Sequence, residues 1–305
     1  MELKAQSKWR WGVALYLFLA GLGGGAYILG VVADFLGSEW ASVARTGIVL
    51  GFPCVFMGTV IKVMDLGTPK NAWRAGFKPG TSWMARGTLI LTIFMGLGAL
   101  HIALWIWPFA DVLADAKTLR LTLGVVGAVF ALGTMFYTGI LLAAAKPIAF
   151  WSTAMLPLLF LLNAFMSGIM AVVMVGLLTG QSLEGPIAQL EYYVAVLLAL
   201  TALVLVFYLQ STHRVPESRA SAKLVLHGRV APLFWFGVVV VGLAIPLGMG
   251  LFDLLQVYGG GAEAAAVIAS LCGLAGGLFL RQVILAGGIH APLRAGRFEI
   301  PLPIV

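Results

Sequence analysis

The stretch WGVALYLFLAGLGGGAYILGVVA, Trp11 to Ala33, contains no Asp, Glu, Lys, Arg or His. A helix needs roughly 20 mainly apolar residues to cross a hydrocarbon core of about 30 Å, and this run is long enough. Its apolar residues are continuous and do not alternate at every second position, so it reads as a helix and not as a barrel strand. The run lacks a convincing small-residue cleavage site and more spans follow it, so it is expected to stay as the first helix.

Seven further stretches have the same character: Arg45 to Ile61, Met84 to Pro108, Leu121 to Ala145, Phe150 to Leu178, Glu191 to Gln210, Val230 to Leu254 and Ala264 to Ala286. Composition agrees: of 305 residues, 61% are hydrophobic and 10% charged, against about a quarter charged in a soluble domain. Mean hydropathy is +1.02. The expected fold is an all-α integral membrane protein with eight transmembrane helices, forming one membrane domain over residues 1–305.

Eight spans place both termini on one side, and the charges then separate by face. Sixteen of the 19 Lys and Arg residues fall on the terminal side; Arg45, Lys117 and Arg120 lie opposite. Eight of the 12 carboxylates fall on that second face. A Lys/Arg excess in short loops marks a cytoplasmic surface, so both termini are expected inside a bacterial or archaeal cytoplasmic membrane. Loops that bind an acidic partner subunit would carry the same excess. Nothing in the chain points to nucleic acid.

The connection KVMDLGTPKNAWRAGFKPGTSWMAR, Lys62 to Arg86, concentrates cations and turn formers between two apolar spans. It is read as a docking loop, with Pro69, Lys70, Arg74, Lys78, Pro79 and Ser82 as candidate partner contacts. The tail from residue 291 to 305 holds Pro292, Pro301 and Pro303, which prevent a continuing helix, and is read as an extended arm or as disorder.

Ligand supply argues against two kinds of cofactor. Cys54 and Cys272 sit in different spans without a CxxC partner, so the chain offers no iron–sulfur or zinc site. His213, His227 and His290 lie at or beyond span ends and only His101 is inside a helix, so haem ligands at matching depths are missing.

Ionisable groups inside spans are functional hypotheses by default. Tyr16, Lys62, Asp65, Tyr137, Arg229 and Arg281 all lie in the half of the membrane nearest the basic face. Phenols and a carboxylate near cations suit the proton and electron chemistry of a lipophilic quinone: a phenol hydrogen-bonds a ring oxygen and the carboxylate exchanges protons with water. The plainer reading of Lys62 and Asp65, three apart on one helix face, is an interfacial ion pair. For Asn163 and Ser167 it is interhelical hydrogen bonding, and for the glycine clusters close helix packing.

Six segments, in order, resemble the NrfD/PsrC family of polysulfide-reductase-type membrane subunits: WRWGVALYLFLAGLGGGAYILG (9–30), DLGTPKNAW with PGTSWMARG (65–87), FYTGILL (136–142), FWSTAMLPLLFLLNAFMSG (150–168), FWFGVVVVGLAIPL (234–247) and LRQVILAGG (280–288). The resemblance implies two four-helix bundles and a quinone-reactive anchor using menaquinone or ubiquinone. It also implies a ferredoxin-like iron–sulfur partner and, beyond it, a molybdenum or tungsten pterin catalytic subunit. Tyr137 matches the family's quinone-site tyrosine in its YTG context, and Asp65 the acidic position of DLGxP. Tyr16 and Val13 stand where polysulfide reductase carries a histidine and an asparagine.

Two other classes remain open on the residues alone. One is a structural anchor that binds an electron-transfer subunit without quinone chemistry. The other is a secondary transporter, for which Pro246 and the glycine runs permit broken helices but no paired repeats are visible.

Overall fold

The computed structural model describes residues 11–65, 69–77, 79–80, 82–106, 117–145, 147–254, 261–290, 293–295 and 298–300. Among them eight helices are long and apolar enough to cross a membrane: α1 (Trp11–Leu36), α2 (Ala41–Met64), α3 (Trp83–Ala103), α4 (Lys117–Ala143), α5 (Met155–Leu178), α6 (Pro186–Ser211), α8 (Leu233–Ala244 continuing as Ile245–Leu254) and α9 (Ala262–Ala286). A shorter helix, α7 (Pro216–His227), joins α6 to α8. The protein is a multi-pass membrane protein. Helices α1 to α4 form one bundle and α5, α6, α8 and α9 a second, with α1, α4 and α5 packed along the junction.

Helix α1 is central because its glycines face three neighbours. In its apolar window 72% of residues are buried, against 22% in α6 at the periphery. Successive residues project about 100° apart around a helix, so the run Gly23, Gly24, Gly25 presents bare backbone in three directions. A Cβ on Gly23 would lie 2.5 Å from the Gly51 carbonyl of α2; one on Gly24, 2.7 Å from Met135 Cγ of α4. One on Gly25 would overlap the Ala164 carbonyl of α5. Small residues allow this approach where lipid gives helices no hydrophobic reason to associate.

The chain's punctuation follows local chemistry. Ser82 caps α3, its hydroxyl accepting from Ala85 N–H at 3.3 Å. Pro186 and Pro216 occupy the first turns of α6 and α7, where a missing N–H costs nothing. Residues Leu233–Ala244 of α8 are wound as a π-helix that ends just before Pro246. Proline cannot donate to the carbonyl four residues earlier and its ring collides with it, and a wider turn relieves both problems.

The fifth span starts later than its hydropathy implies. Helix α5 begins at Met155, and the chain before it is a series of turns. Phe150 and Trp151 are apolar because they are buried in the second bundle's core, where Trp151 Nε1 donates to the Ile284 carbonyl at 2.8 Å. Tyr208 Oη donates to the Phe150 carbonyl at 2.7 Å. In the tail, Leu293–Ala295 and Phe298–Ile300 pair as an antiparallel hairpin.

Candidate functional site

At the basic end of the first bundle, Tyr16 of α1, Lys62 of α2 and Tyr137 of α4 converge. Lys62 Nζ donates to Tyr137 Oη at 3.3 Å and lies 5.1 Å from the Tyr137 ring centroid and 5.6 Å from that of Tyr16. Tyr137 is buried; Tyr16 and Lys62 are half-buried. Ala20, Gly58, Thr59, Leu91, Thr134 and Thr138 complete the walls around a cavity of about 10 Å³, the size of one water molecule.

The threonines are spoken for by their own helices. Thr59, Thr134 and Thr138 donate to the carbonyls of Val55, Phe130 and Met135 at 2.8, 2.9 and 2.7 Å. The donor capacity left for a guest is therefore the ammonium and the two phenols. Among the described residues the Tyr16 hydroxyl has no hydrogen-bond partner and Lys62 forms no ion pair with Asp65.

Asp65 is exposed just past the end of α2 and lies over the first turn of α1, where a Cβ on Gly12 would meet its Cγ at 3.8 Å. It stands between the Tyr16–Lys62–Tyr137 group and the basic surface. The interfacial Lys62–Asp65 ion pair does not form: Asp65 caps the end of α2, its N–H donating to the Ile61 carbonyl at 3.0 Å, while the Lys62 ammonium donates to Tyr137 Oη.

The loop element PGTSWMARG braces this group. Arg86 Nε and Nη2 donate to the Pro79 and Gly80 carbonyls at 2.7 and 2.8 Å, and the guanidinium lies 4.6 Å from the Trp83 ring centroid. Ser82 and Pro79 thus shape the turn into α3. Gly87 follows, and a Cβ there would overlap Cδ2, Cε2 and Cζ of Tyr137. The sequence alone assigns Gly87 no role; its one signal there is its place right after the arginine that closes the turn. Lys70 and Arg74 are exposed on the short 3-10 helix Pro69–Gly76. Lys78 lies outside the described residues, as does the Pro69 side chain.

Arg229 and Arg281 do not line the cavity. Arg229 is exposed in the turn between α7 and α8. Arg281 of α9 is fully buried between the Phe18 and Phe160 rings, 5.4 and 5.3 Å from their centroids. Its Nη1 donates to Asn163 Oδ1 of α5 and, at 3.0 Å, to the Gly277 carbonyl. Asn163 is thus an interhelical hydrogen-bonding residue, and the cation it holds lies across α1 from Tyr16, against Gly21.

A second polar group occupies the opposite end of the first bundle. Tyr27 Oη and His101 Nδ1 are 2.6 Å apart, and Trp105 Nε1 donates to His101 Nε2 at 3.4 Å. An indole only donates, so in a neutral ring Nδ1 carries the hydrogen and donates to Tyr27. Nearby, Arg120 makes a bidentate bridge to Asp34 at 3.0 and 2.8 Å. Sequence reasoning singles out His101 without finding its partners, because they come from α1 and from the turn that follows α3.

The family described as polysulphide reductase, NrfD matches residues 2–292. The C polypeptide of polysulfide reductase from Wolinella succinogenes is 29% identical over 265 residues, covering 78% of this chain and 81% of that protein. Protein NrfD of Escherichia coli is 27% identical over 311 residues, covering 92% and 94%. The C polypeptide of sulfite dehydrogenase from Allochromatium vinosum is 31% identical over 163 residues, half of each sequence.

Proposed function

The chain belongs to the polysulphide reductase, NrfD family, and from that premise we propose that it is the quinone-reactive membrane subunit of a multi-subunit respiratory oxidoreductase. The observation that carries this reading is the Lys62–Tyr137 hydrogen bond with the Tyr16 phenol beside it, which has no hydrogen-bond partner among the described residues. Three donors in a largely apolar cleft fit a ring with two carbonyl acceptors. When bound there, menaquinone or ubiquinone supplies a carrier of two electrons and two protons.

The chain's own residues then divide the work. Lys62 and Tyr137 donate to a ring oxygen and polarise it, Tyr16 offers the second phenol, and Asp65 passes protons between the rim and water. The cavity holds about 10 Å³, less than a quinone ring occupies, so binding requires its walls to move apart while Lys62 and Tyr137 stay within reach of the ring oxygen. Thr59, Thr134 and Thr138 stay bonded to backbone and keep the walls dry.

Electrons leave or arrive on the basic face. An iron–sulfur subunit of ferredoxin type docks over Lys70 and Arg74, which are exposed there, and passes them to or from a molybdenum or tungsten pterin subunit. The relatives named for polysulfide reductase and sulfite dehydrogenase support assembly into such complexes. The membrane is the bacterial or archaeal cytoplasmic membrane, with both termini on the basic face.

Tyr137→Phe in the assembled complex tests the reading. Removing a positioned acid–base group lowers quinol oxidation by about 100-fold or more, while subunit stoichiometry stays unchanged and the complex remains folded at the assay temperature. Full activity in an intact complex would instead assign the chain to the structural-anchor class.

A further inference from the structure

A large cavity lies far from the Lys62 cleft. It is a groove of about 500 Å³ at the acidic end, where α1 of the first bundle meets α5 and α6 of the second. That volume lies within the range of about 300–1,000 Å³ typical of small-molecule sites. Its deep walls are wholly apolar, with Ile28, Leu29 and Val32 of α1 facing Phe165 and Ile169 of α5. Its mouth is polar and uncharged: Trp40, Gln189 and Tyr193 bring an indole N–H, an amide and a phenol, each of which can donate. Among the described residues none of these three side chains has a hydrogen-bond partner.

Depth identifies the occupant. The mouth groups lie near the ends of α1 and α6, and from Leu36 to Ile28 the helix descends about 12 Å at 1.5 Å per residue. Half of a hydrocarbon core of about 30 Å is about 15 Å, so the groove spans nearly the whole hydrocarbon depth of one leaflet. Its side is open to lipid, since Val32, Leu36 and Tyr193 are 49%, 57% and 49% exposed. Among the described residues no cation and no carboxylate lines it, so it neither selects an anionic headgroup nor moves protons.

We propose that this groove is a specific site for one phospholipid of the acidic-face leaflet. One acyl chain lies along α1 and α5, and the glycerol ester carbonyls accept hydrogen bonds from Trp40, Gln189 and Tyr193. The lipid seals the seam between the two bundles at the end remote from the Lys62 cleft. A quinone is another membrane amphiphile with carbonyl acceptors. The lack of any titratable group beyond the Tyr193 phenol argues for the ester, which needs no proton partner.

The full chain, purified with the subunits it assembles with and placed in nanodiscs of phosphatidylcholine carrying a diazirine in one acyl chain, provides the test. Photolysis is expected to label α1 between Ile28 and Leu36 and α5 between Phe165 and Ile169 well above other lipid-facing helices. Val32→Trp, at a half-exposed position, fills the groove without disturbing the core and abolishes that excess. Gln189→Leu combined with Tyr193→Phe keeps the groove and lowers phospholipid retained through detergent exchange about tenfold, equivalent to about 1.4 kcal/mol. Uniform labelling of all lipid-facing helices, labelling unaffected by Val32→Trp, or displacement of the label by a short-chain quinone would each overturn the proposal. All three readouts are independent of quinol oxidation at the Lys62 cleft.

Discussion

Replacing Gly87 with alanine adds one methyl group where the Tyr137 ring rests on α3. The new Cβ would overlap Cδ2, Cε2 and Cζ of that ring, whereas carbon atoms settle at about 3.5–4.0 Å. The ring must therefore withdraw by more than about 1 Å, carrying its hydroxyl away from Lys62 Nζ, now at 3.3 Å. Overpacking of this kind costs about 1–3 kcal/mol, and a lost hydrogen bond to a charged group about 1.5–3 kcal/mol. The second effect falls on the cleft, so quinol oxidation should drop more steeply than stability. A double-mutant cycle with Tyr137→Ala separates the two, because removing the ring removes the clash. In that background Gly87→Ala should cost under about 0.5 kcal/mol by thermal unfolding in detergent. If Gly87→Ala costs the same stability with and without the ring, or leaves activity at the level of the unmodified protein, the placement of Tyr137 against α3 is wrong.

Other expectations concern the frame around the cleft. Asp34→Asn breaks the bidentate bridge to Arg120, whose side chains are 8% and 30% exposed, and should cost about 1–3 kcal/mol, between the values for exposed and buried pairs, in thermal or SDS unfolding. Tyr27→Phe leaves the His101 Nδ1 hydrogen buried without its partner and should destabilise by about 1–3 kcal/mol, read by the same unfolding assay. Gly276→Ala in α9 drives a methyl group into the Gly242 backbone of α8, and since backbone cannot rotate away the loss should be at least about 1–3 kcal/mol. No substitution at Gly242 should rescue it.

The candidate site was partly legible in the sequence. Tyr16, Lys62, Asp65 and Tyr137 are each ionisable and near the same face, so depth along the span was enough to nominate them. Depth also nominated Arg229 and Arg281, which the fold carries elsewhere: one to the surface, the other behind α1 with Asn163. Gly87 escaped notice because its role is to be small beside a ring from a different helix.

The number of apolar spans followed from the sequence itself, because hydropathy is summed along one dimension and the bilayer reads it that way. How each helix is rotated about its axis is set by packing between helices, through contacts such as Gly23 on Gly51 and Gly25 on Ala164. That rotation turned Lys62 toward Tyr137, and it opened a groove between the bundles that no single span contains. Side chains far apart in the chain meet only when backbone shape brings their helices together, so tertiary structure alone made neighbours of Tyr16, Lys62 and Tyr137.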